Sequence, residues 1–195
     1  MGQYRLYKAF AEYKIPLTEV VEQGIAQRAD GHFTVCGDFR AAAEGEEIVD
    51  RLLNLRMYYD NYRPILLKVS PDLSKEQLDD IVDYCLRSGI DGIVAGNTTR
   101  SREGLTIDQA KIEKIGNGGM SGAPVHKKNV ELVRYIHTKS EGKLPIVGVG
   151  GIMSPKQAKA MLDAGASLVE IYSGFIFEGP ALIKNIIKYL ENTAK

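Results

Sequence analysis

A lysine interrupts a short apolar run, Pro64-Ile65-Leu66-Leu67-Lys68-Val69, near the carboxyl end of that run. A continuous apolar run of this length is typical of a strand buried on both faces, as in a parallel sheet. Because burying an isolated ammonium group is costly, the Lys68 side chain must either reach solvent past its neighbours or face a ligand. Parallel α/β sheets bind their ligands at the carboxyl ends of the strands. Both interpretations of Lys68 stay open: a cation that snorkels to solvent, and a cation aimed into a binding site.

Two polar residues follow the next apolar run, which covers 90–95. They are Asn97 and Thr98, and they come directly after Gly96. Amide and hydroxyl groups offer neutral donors and acceptors, the kind of groups that orient a polar ring in a binding site. Glycine and asparagine are also routine in turns, so ordinary turn chemistry explains the same residues.

Glycine-rich segments follow the two later apolar runs. Gly148-Val149-Gly150-Gly151 and Tyr172-Ser173-Gly174 stand at the predicted carboxyl ends of those strands. Glycine lets backbone N–H groups approach an anion closely, and barrels often bind phosphate between their last two loops and a short helix. The glycines also fit tight strand-to-helix turns, but the pair of segments favours phosphate binding. A third segment, Gly118-Gly119-Met120-Ser121-Gly122, fits either another backbone cradle or a plain flexible loop.

Composition and charge limit the class of protein. The 25 Lys and Arg residues balance 25 Asp and Glu residues, so the chain lacks the basic field of a nucleic-acid-binding protein, and we expect no nucleic-acid partner. Two cysteines, Cys36 and Cys85, suit a reducing compartment, and we expect a cytoplasmic location. The histidines show no metal-ligand spacing, and His126 and His137 are expected at the surface. No apolar run approaches the roughly 18 residues of a membrane span.

The apolar runs alternate with amphipathic segments. They predict strands at 64–69, 90–95, 145–149 and 168–172, with helices between them. Ser74 and Ser154 are expected to begin two of these helices, because each stands three residues before a glutamine, as in a capping box. Four successive strand–helix units favour a parallel sheet with right-handed crossovers, either a barrel or an open doubly wound sheet.

The first third of the chain has weaker patterns. They predict helices over Met1–Tyr13, Leu17–Ala29 and Glu46–Tyr59, and a short strand over His32–Cys36. The segment from Gly96 to Pro124 is expected to be a long loop. A chain of 195 residues is expected to form a single domain, at the short end of the range for barrels, which runs from about 200 to over 400 residues.

The order of these motifs resembles a known family of enzymes. The matching region runs from about Glu46 to Leu190 and includes ILLKVSPDL at 65–73, DGIVAGNTT at 91–99, GGMSG at 118–122, LPIVGVGGI at 144–152 and GASLVEIYSGF at 165–175. It is similar to the C-terminal half of the class 2, quinone-dependent dihydroorotate dehydrogenases. The resemblance implies an α/β fold of the (β/α)8 TIM-barrel family that is incomplete here, about half a barrel of four to five βα units. Within one domain spanning 1–195, residues 1–45 would be a divergent or truncated N-terminal part and 46–195 the C-terminal half of an FMN-binding barrel.

The resemblance also implies an activity, the oxidation of dihydroorotate to orotate in pyrimidine biosynthesis, with FMN as hydride acceptor and a quinone as electron acceptor. A base would remove a proton from C5 while hydride passes from C6 to flavin N5. Lys68 matches the lysine near the flavin ring, where a cation would stabilise the anionic reduced flavin. Asn97 and Thr98 match the pair that hydrogen-bonds the substrate. The positions expected to bind FMN, mostly on the phosphate side, are Gly96, Gly122, Gly150, Gly151, Tyr172 and Ser173, together with Lys68.

The sequence also departs from the family pattern. Gly96 stands where the family usually has threonine, which removes one side-chain contact. The family's Asn-Val-Ser-x-Pro-Asn segment, which carries the catalytic serine base, has no counterpart after Phe33-Thr34-Val35-Cys36, so no catalytic residue is assigned. A substitute role for Cys36 as the base is disfavoured, because the surrounding motif is missing. The first barrel strands and the family's N-terminal membrane and quinone segment have no counterpart either.

Three functions therefore stay open. The chain is a dihydroorotate dehydrogenase, an FMN- or phosphate-binding half-barrel without turnover, or a different phosphate-binding barrel enzyme such as a sugar-phosphate isomerase. The last explains the glycine loops but not Lys68 together with Asn97 and Thr98. Because half a barrel leaves strand edges open, we also expect self-association, or a partner that covers those edges.

Overall fold

A six-stranded sheet forms the centre of the molecule. The computed structural model describes residues 25–29, 32–36, 42–58, 62 and 64–193. In sheet order, which is also chain order, the strands are β1 (Ile25–Ala29), β2 (His32–Cys36), β3 (Ile65–Val69), β4 (Gly92–Ala95), β5 (Ile146–Val149) and β6 (Leu168–Glu170). β1 runs antiparallel to β2, whereas β2 to β6 are parallel to one another.

Helices connect the parallel strands. They are α1 (Ala42–Arg56), α2 (Lys75–Ser88), α3 (Gln109–Ile115), α4 (His126–Lys139), α5 (Pro155–Asp163), α6 (Ser173–Glu178) and α7 (Pro180–Thr193), with a short 3-10 helix, Ala123–Val125, before α4. Within the residues described, no helix combines the length and apolar character that a bilayer span requires.

The two faces of the sheet differ in what covers them. In β3 burial alternates, with Ile65, Leu67 and Val69 buried and the residues between them half-buried. The buried side chains join the core formed with α1, α2, α4, α5 and α7, so these helices lie on one face. A doubly wound sheet carries helices on both faces, so one-sided cover with strands in chain order is the arrangement of a barrel wall.

The opposite face, which we call the open face, carries Lys68. The register places Lys68 beside Val94, Val94 beside Val147, and Val147 beside Leu168. Paired residues of parallel strands point to the same side of a sheet. Val94 is buried, Val147 is half-buried and Leu168 is 64% exposed, so the cover of this face decreases from β4 to β6 among the described residues.

The predicted strand–helix units are confirmed. Ser74 caps α2 with both bonds of a capping box, since Gln77 N donates to Ser74 Oγ (3.2 Å) and Ser74 N donates to Gln77 Oε1 (2.9 Å). Gly89 ends the same helix at φ 78°, a left-handed conformation that glycine adopts without steric cost. Ser154 is likewise the N-cap of α5. The strand expected at His32–Cys36 is β2, and the helix expected at Glu46–Tyr59 is α1, which begins at Ala42 and ends at Arg56.

Other predictions are corrected by the structure. The helix expected over Leu17–Ala29 is wrong in its last five residues, which form β1 and pair with β2 from Ile25↔Cys36 to Ala29↔His32. The segment is rich in helix-forming residues, but cross-strand pairing outweighs that intrinsic preference. Residues 17–24, and the helix expected over Met1–Tyr13, lie outside the described residues. The loop expected from Gly96 to Pro124 contains α3.

A carboxylate joins the amino ends of β3 and β4. Asp91, just before β4, accepts hydrogen bonds from Arg56 Nη1 (2.6 Å), from the backbone N of Ile65 (2.6 Å) and from the Tyr62 hydroxyl. Its side chain is 19% exposed, so most of its hydration is lost on folding. The three donors replace that hydration and tie the end of α1 to the start of the parallel sheet.

We expect Asp91→Ala to destabilise the protein by about 2–4 kcal/mol, because it leaves the Ile65 amide and the Arg56 guanidinium without their acceptor. Urea unfolding followed by circular dichroism measures the change. Asp163→Ala is the matched control. It removes a carboxylate whose partner is Lys159 one helical turn away on the surface, and should cost about 0.5 kcal/mol or less. Equal unfolding free energies for the two variants would contradict this role of Asp91.

Candidate active site

Lys68 is the next-to-last residue of β3 and lies on the open face. Its side chain is half-buried and has no hydrogen bond or ion pair with any of the described residues. Lys68 is therefore near the carboxyl edge of the sheet, on the side that the described helices do not cover. This placement fits both interpretations, since a cation on the open face can reach solvent or face a ligand.

Asn97 and Thr98 come after β4 and Gly96, and both are exposed. The Oδ1 of Asn97 accepts a hydrogen bond from the Thr98 backbone N (2.9 Å), so Asn97 does take part in the local turn, as the simpler interpretation predicts. Its amide nitrogen and the Thr98 hydroxyl donate to no other group in the described part of the chain. Thr98 packs against the backbone of Gly119, where a Cβ atom would overlap the Thr98 side chain.

Three loops at the carboxyl edge meet through close backbone contacts. Gly151, at φ 74°, follows β5, and a Cβ atom there would lie 2.6 Å from the backbone N of His126. Gly174, in α6, lies so close to the Ile152 carbonyl oxygen that a Cβ atom would overlap it. The Cα of Gly122 faces Ser173, with 3.9 Å between a Cβ position on Gly122 and the Cβ of Ser173. The three glycine-rich segments that the sequence suggests as a phosphate cradle therefore lie close together.

The converging loops also leave backbone donors free. The amides of Gly122, Gly151 and Ser173 have no acceptor within the residues that the structure describes. Free N–H groups beside glycines are the kind of groups that hold a phosphate or another anion. Tyr172 is 72% exposed, and its carbonyl oxygen accepts from the amides of Phe175 (3.1 Å) and Ile176 (3.3 Å), which places it at the start of α6.

A buried asparagine, which the sequence analysis did not single out, lies beneath these loops. Asn129 in α4 is 0% exposed, and both polar atoms of its amide have no partner in the described residues. It fills the space beside Gly150, and a Cβ atom on Gly96, which has φ 123°, would lie 2.9 Å from Asn129 Cγ. Gly96 and Gly150 therefore serve packing against Asn129. No local pattern in the sequence distinguishes Asn129 from an exposed asparagine.

The expectation that His126 is a surface residue is wrong. It is half-buried against the loop after β5, and its Nδ1 is buried with no partner among the described residues. Burial lowers the pKa of His126, and the nearby Gly150 backbone opposes that change only in part. The imidazole is therefore favoured in its neutral form. His137, by contrast, is exposed as expected.

A second unpredicted group is the carboxylate of Asp72, in the loop after β3. It accepts hydrogen bonds from the Thr99 hydroxyl, from the backbone N of Arg100 (2.7 Å) and from the Lys128 ammonium. Burial raises the pKa of Asp72, but the hydrogen bonds from Lys128, Thr99 and Arg100 outweigh burial and hold the pKa below its usual value. The ionised carboxylate thus joins the loops after β3 and β4 to α4.

The comparison with known proteins agrees with this architecture. The profile of the family described as Dihydroorotate dehydrogenase matches residues 25–193. A dihydroorotate dehydrogenase (quinone) of Christiangramia forsetii is 50% identical over 124 residues, which are 64% of this chain and 35% of that protein. One of Proteus mirabilis is 41% identical over 147 residues, or 73% of this chain and 42% of that protein.

A solved structure shows the same partial coverage. The ligand-free dihydroorotate dehydrogenase of Eimeria tenella superposes with a TM-score of 0.71 at 25% identity, over 78% of this chain and 46% of that one. The chain thus spans less than half the length of these relatives. The curated relatives named here are of the quinone type. Since the family profile matches most of the chain, the chain belongs to the dihydroorotate dehydrogenase family, as part of a (β/α)8 barrel.

Proposed function

We propose that this chain supplies the cofactor-phosphate and substrate side of an enzyme that oxidises dihydroorotate to orotate, with FMN as hydride acceptor and a quinone as the final electron acceptor. The observation that carries the proposal is the convergence of free backbone amides at Gly122, Gly151 and Ser173 on the carboxyl edge that also carries Lys68. Bound FMN would supply the redox chemistry.

The chain's own residues have distinct roles in this proposal. The three amides hold the phosphate, and Asn97 and Thr98 orient the polar ring of the substrate through groups that have no other partner. Lys68 places positive charge where negative charge develops as hydride is transferred. The proton at substrate C5 needs a base, and none of the matched residues supplies one. The side chain of Cys36, considered above for that role, lies outside what the structure describes.

A second function has one observation in its favour. The family's serine motif has no counterpart after Cys36 in the sequence, so an FMN-binding unit without turnover is the alternative. Binding and turnover must therefore be measured separately.

Titration of the full chain with FMN, followed by flavin absorbance and fluorescence, tests the proposal. We expect saturable binding with one FMN per chain, because one set of free amides is present. Adding dihydroorotate without oxygen then separates the two functions. Bleaching of the flavin band supports the dehydrogenase, whereas binding without bleaching supports the alternative. No FMN binding would refute both.

Lys68→Met removes the charge and keeps the length of the side chain. We expect weaker FMN binding and a lower flavin midpoint potential, since loss of about 1.4 kcal/mol of stabilisation of the reduced state corresponds to about 30 mV for a two-electron couple. Lys188→Met, at an exposed lysine of α7, is the control for a general effect of charge. If the two variants have the same potential, the role assigned to Lys68 is wrong.

We further propose that the chain self-associates in a cytoplasmic location, with no nucleic-acid partner. Support comes from β6, which pairs only with β5 among the described strands, and from the exposed Leu168 on the open face. Sedimentation velocity at micromolar concentration should show dimers or larger species, shifting towards monomer for Leu168→Lys. A wild-type chain that remains monomeric would contradict self-association.

A further inference from the structure

The chain leaves the carboxyl edge after Thr99 and returns to it at Met120. We call the residues between them, 100–119, the excursion. Thr99 and Met120 form an isolated antiparallel bridge in which each backbone N donates to the other's carbonyl oxygen, at 3.0 and 2.8 Å. α3 lies within the excursion and is capped by Asp108, whose side chain accepts from the Ala110 N (3.0 Å). The two ends of the excursion are thus side by side.

One side chain, that of Arg102, connects the two ends of the excursion. We call these ends, the outgoing residues up to 102 and the returning residues from 116, the neck. The Arg102 guanidinium donates through Nη1 to the carbonyl oxygens of Thr99 (3.4 Å) and Arg100 (3.3 Å) on the outgoing side. Through Nη2 it donates to the carbonyl oxygens of Gly116 (3.4 Å) and Gly118 on the returning side. Most of these bonds are long and individually weak, but together they connect both arms of the neck through one half-buried group.

The returning arm leads directly into the candidate site. Gly119 follows Gly118 and packs against Thr98 so closely that a Cβ atom on Gly119 would overlap the Thr98 side chain. Gly122, three residues later, faces Ser173 and carries one of the free amides. The returning arm is therefore connected to Thr98 through the contact at Gly119 and to Gly122 along the chain.

We propose that Arg102 is a positioning residue, which closes the neck of the excursion and thereby places Thr98 and Gly122 for binding. It acts through the backbone and touches neither the substrate nor the cofactor. The planar guanidinium can serve acceptors on two sides at once, whereas a lysine ammonium is a single point donor that serves one arm at a time. The part of this inference that concerns FMN binding rests on the function proposed above, whereas the part that concerns the structure of the neck does not.

Hydrogen exchange of the full chain, read by mass spectrometry without FMN, tests the inference first. Arg102→Ala and Arg102→Lys are compared with Arg134→Ala, an exposed arginine of α4. We expect peptides covering 97–122 to exchange about tenfold faster in both Arg102 variants, because neither can hold both arms. Peptides from α2 and α5 should be unchanged, which shows that the fold is intact.

FMN titration of the same variants is the second readout. We expect the Kd for FMN to rise about tenfold for both Arg102 variants and to stay at the wild-type value for Arg134→Ala. Exchange in 97–122 within twofold of the Arg134→Ala variant would overturn the inference, as would faster exchange with an unchanged Kd. If the wild-type chain binds no FMN, the proposed function fails, and exchange at Thr98 and Gly122 alone decides whether Arg102 positions them.

Discussion

The ionised carboxylate of Asp72 is the contact on which the geometry of the carboxyl edge depends. It receives donors from the loop after β4, at Thr99 and Arg100, and from Lys128 in α4, so three elements that are distant in sequence share one acceptor. A partly buried carboxylate is stable only when such donors replace its water. Thr98 and the first residue of the excursion are the chain neighbours of Thr99. The hydrogen bond from Thr99 to Asp72 therefore restricts their positions as well.

The one-sided cover of the sheet explains why the candidate site lies where it does. Helices bury Ile65, Leu67 and Val69 on one face, and this core sets the register of the parallel strands. Because side chains alternate along a strand, Lys68 must then point to the open face. The connections after β3, β4, β5 and β6 lie at the same edge, and glycines in or beside the last three allow backbone to meet backbone. The same strand register therefore buries the core residues on one face and places Lys68 on the other.

Much of the fold could be predicted from the sequence, because periodicity and caps agree from β3 onwards. The capping box at Ser74 and the apolar runs mark their elements without help from the rest of the chain. β1 could not be recognised in that way, since its residues favour a helix and only pairing with β2 makes them a strand. The Asp30-Gly31 dipeptide between the two, which favours two-residue hairpins, was the missed signal.

The candidate site was less accessible to sequence analysis than the fold. Residue types predicted Lys68, Asn97 and the glycines as site residues, and the register adds which face of the sheet Lys68 occupies. Asp72 and Asn129 were missed because their roles depend on contacts between elements far apart in the chain. A short polar residue in a loop or a helix has many uses, and nothing local distinguishes a buried one.

The bridge between Thr99 and Met120 also has an evolutionary consequence. Since the two ends of the excursion are paired side by side, the distal part around α3 can lengthen, shorten or change its sequence without altering the distance that the chain must span. Closing a longer loop adds little conformational entropy cost, roughly 0.6 kcal/mol for each doubling of its length. The excursion can therefore accept insertions and deletions around α3 while the barrel wall beneath it stays the same.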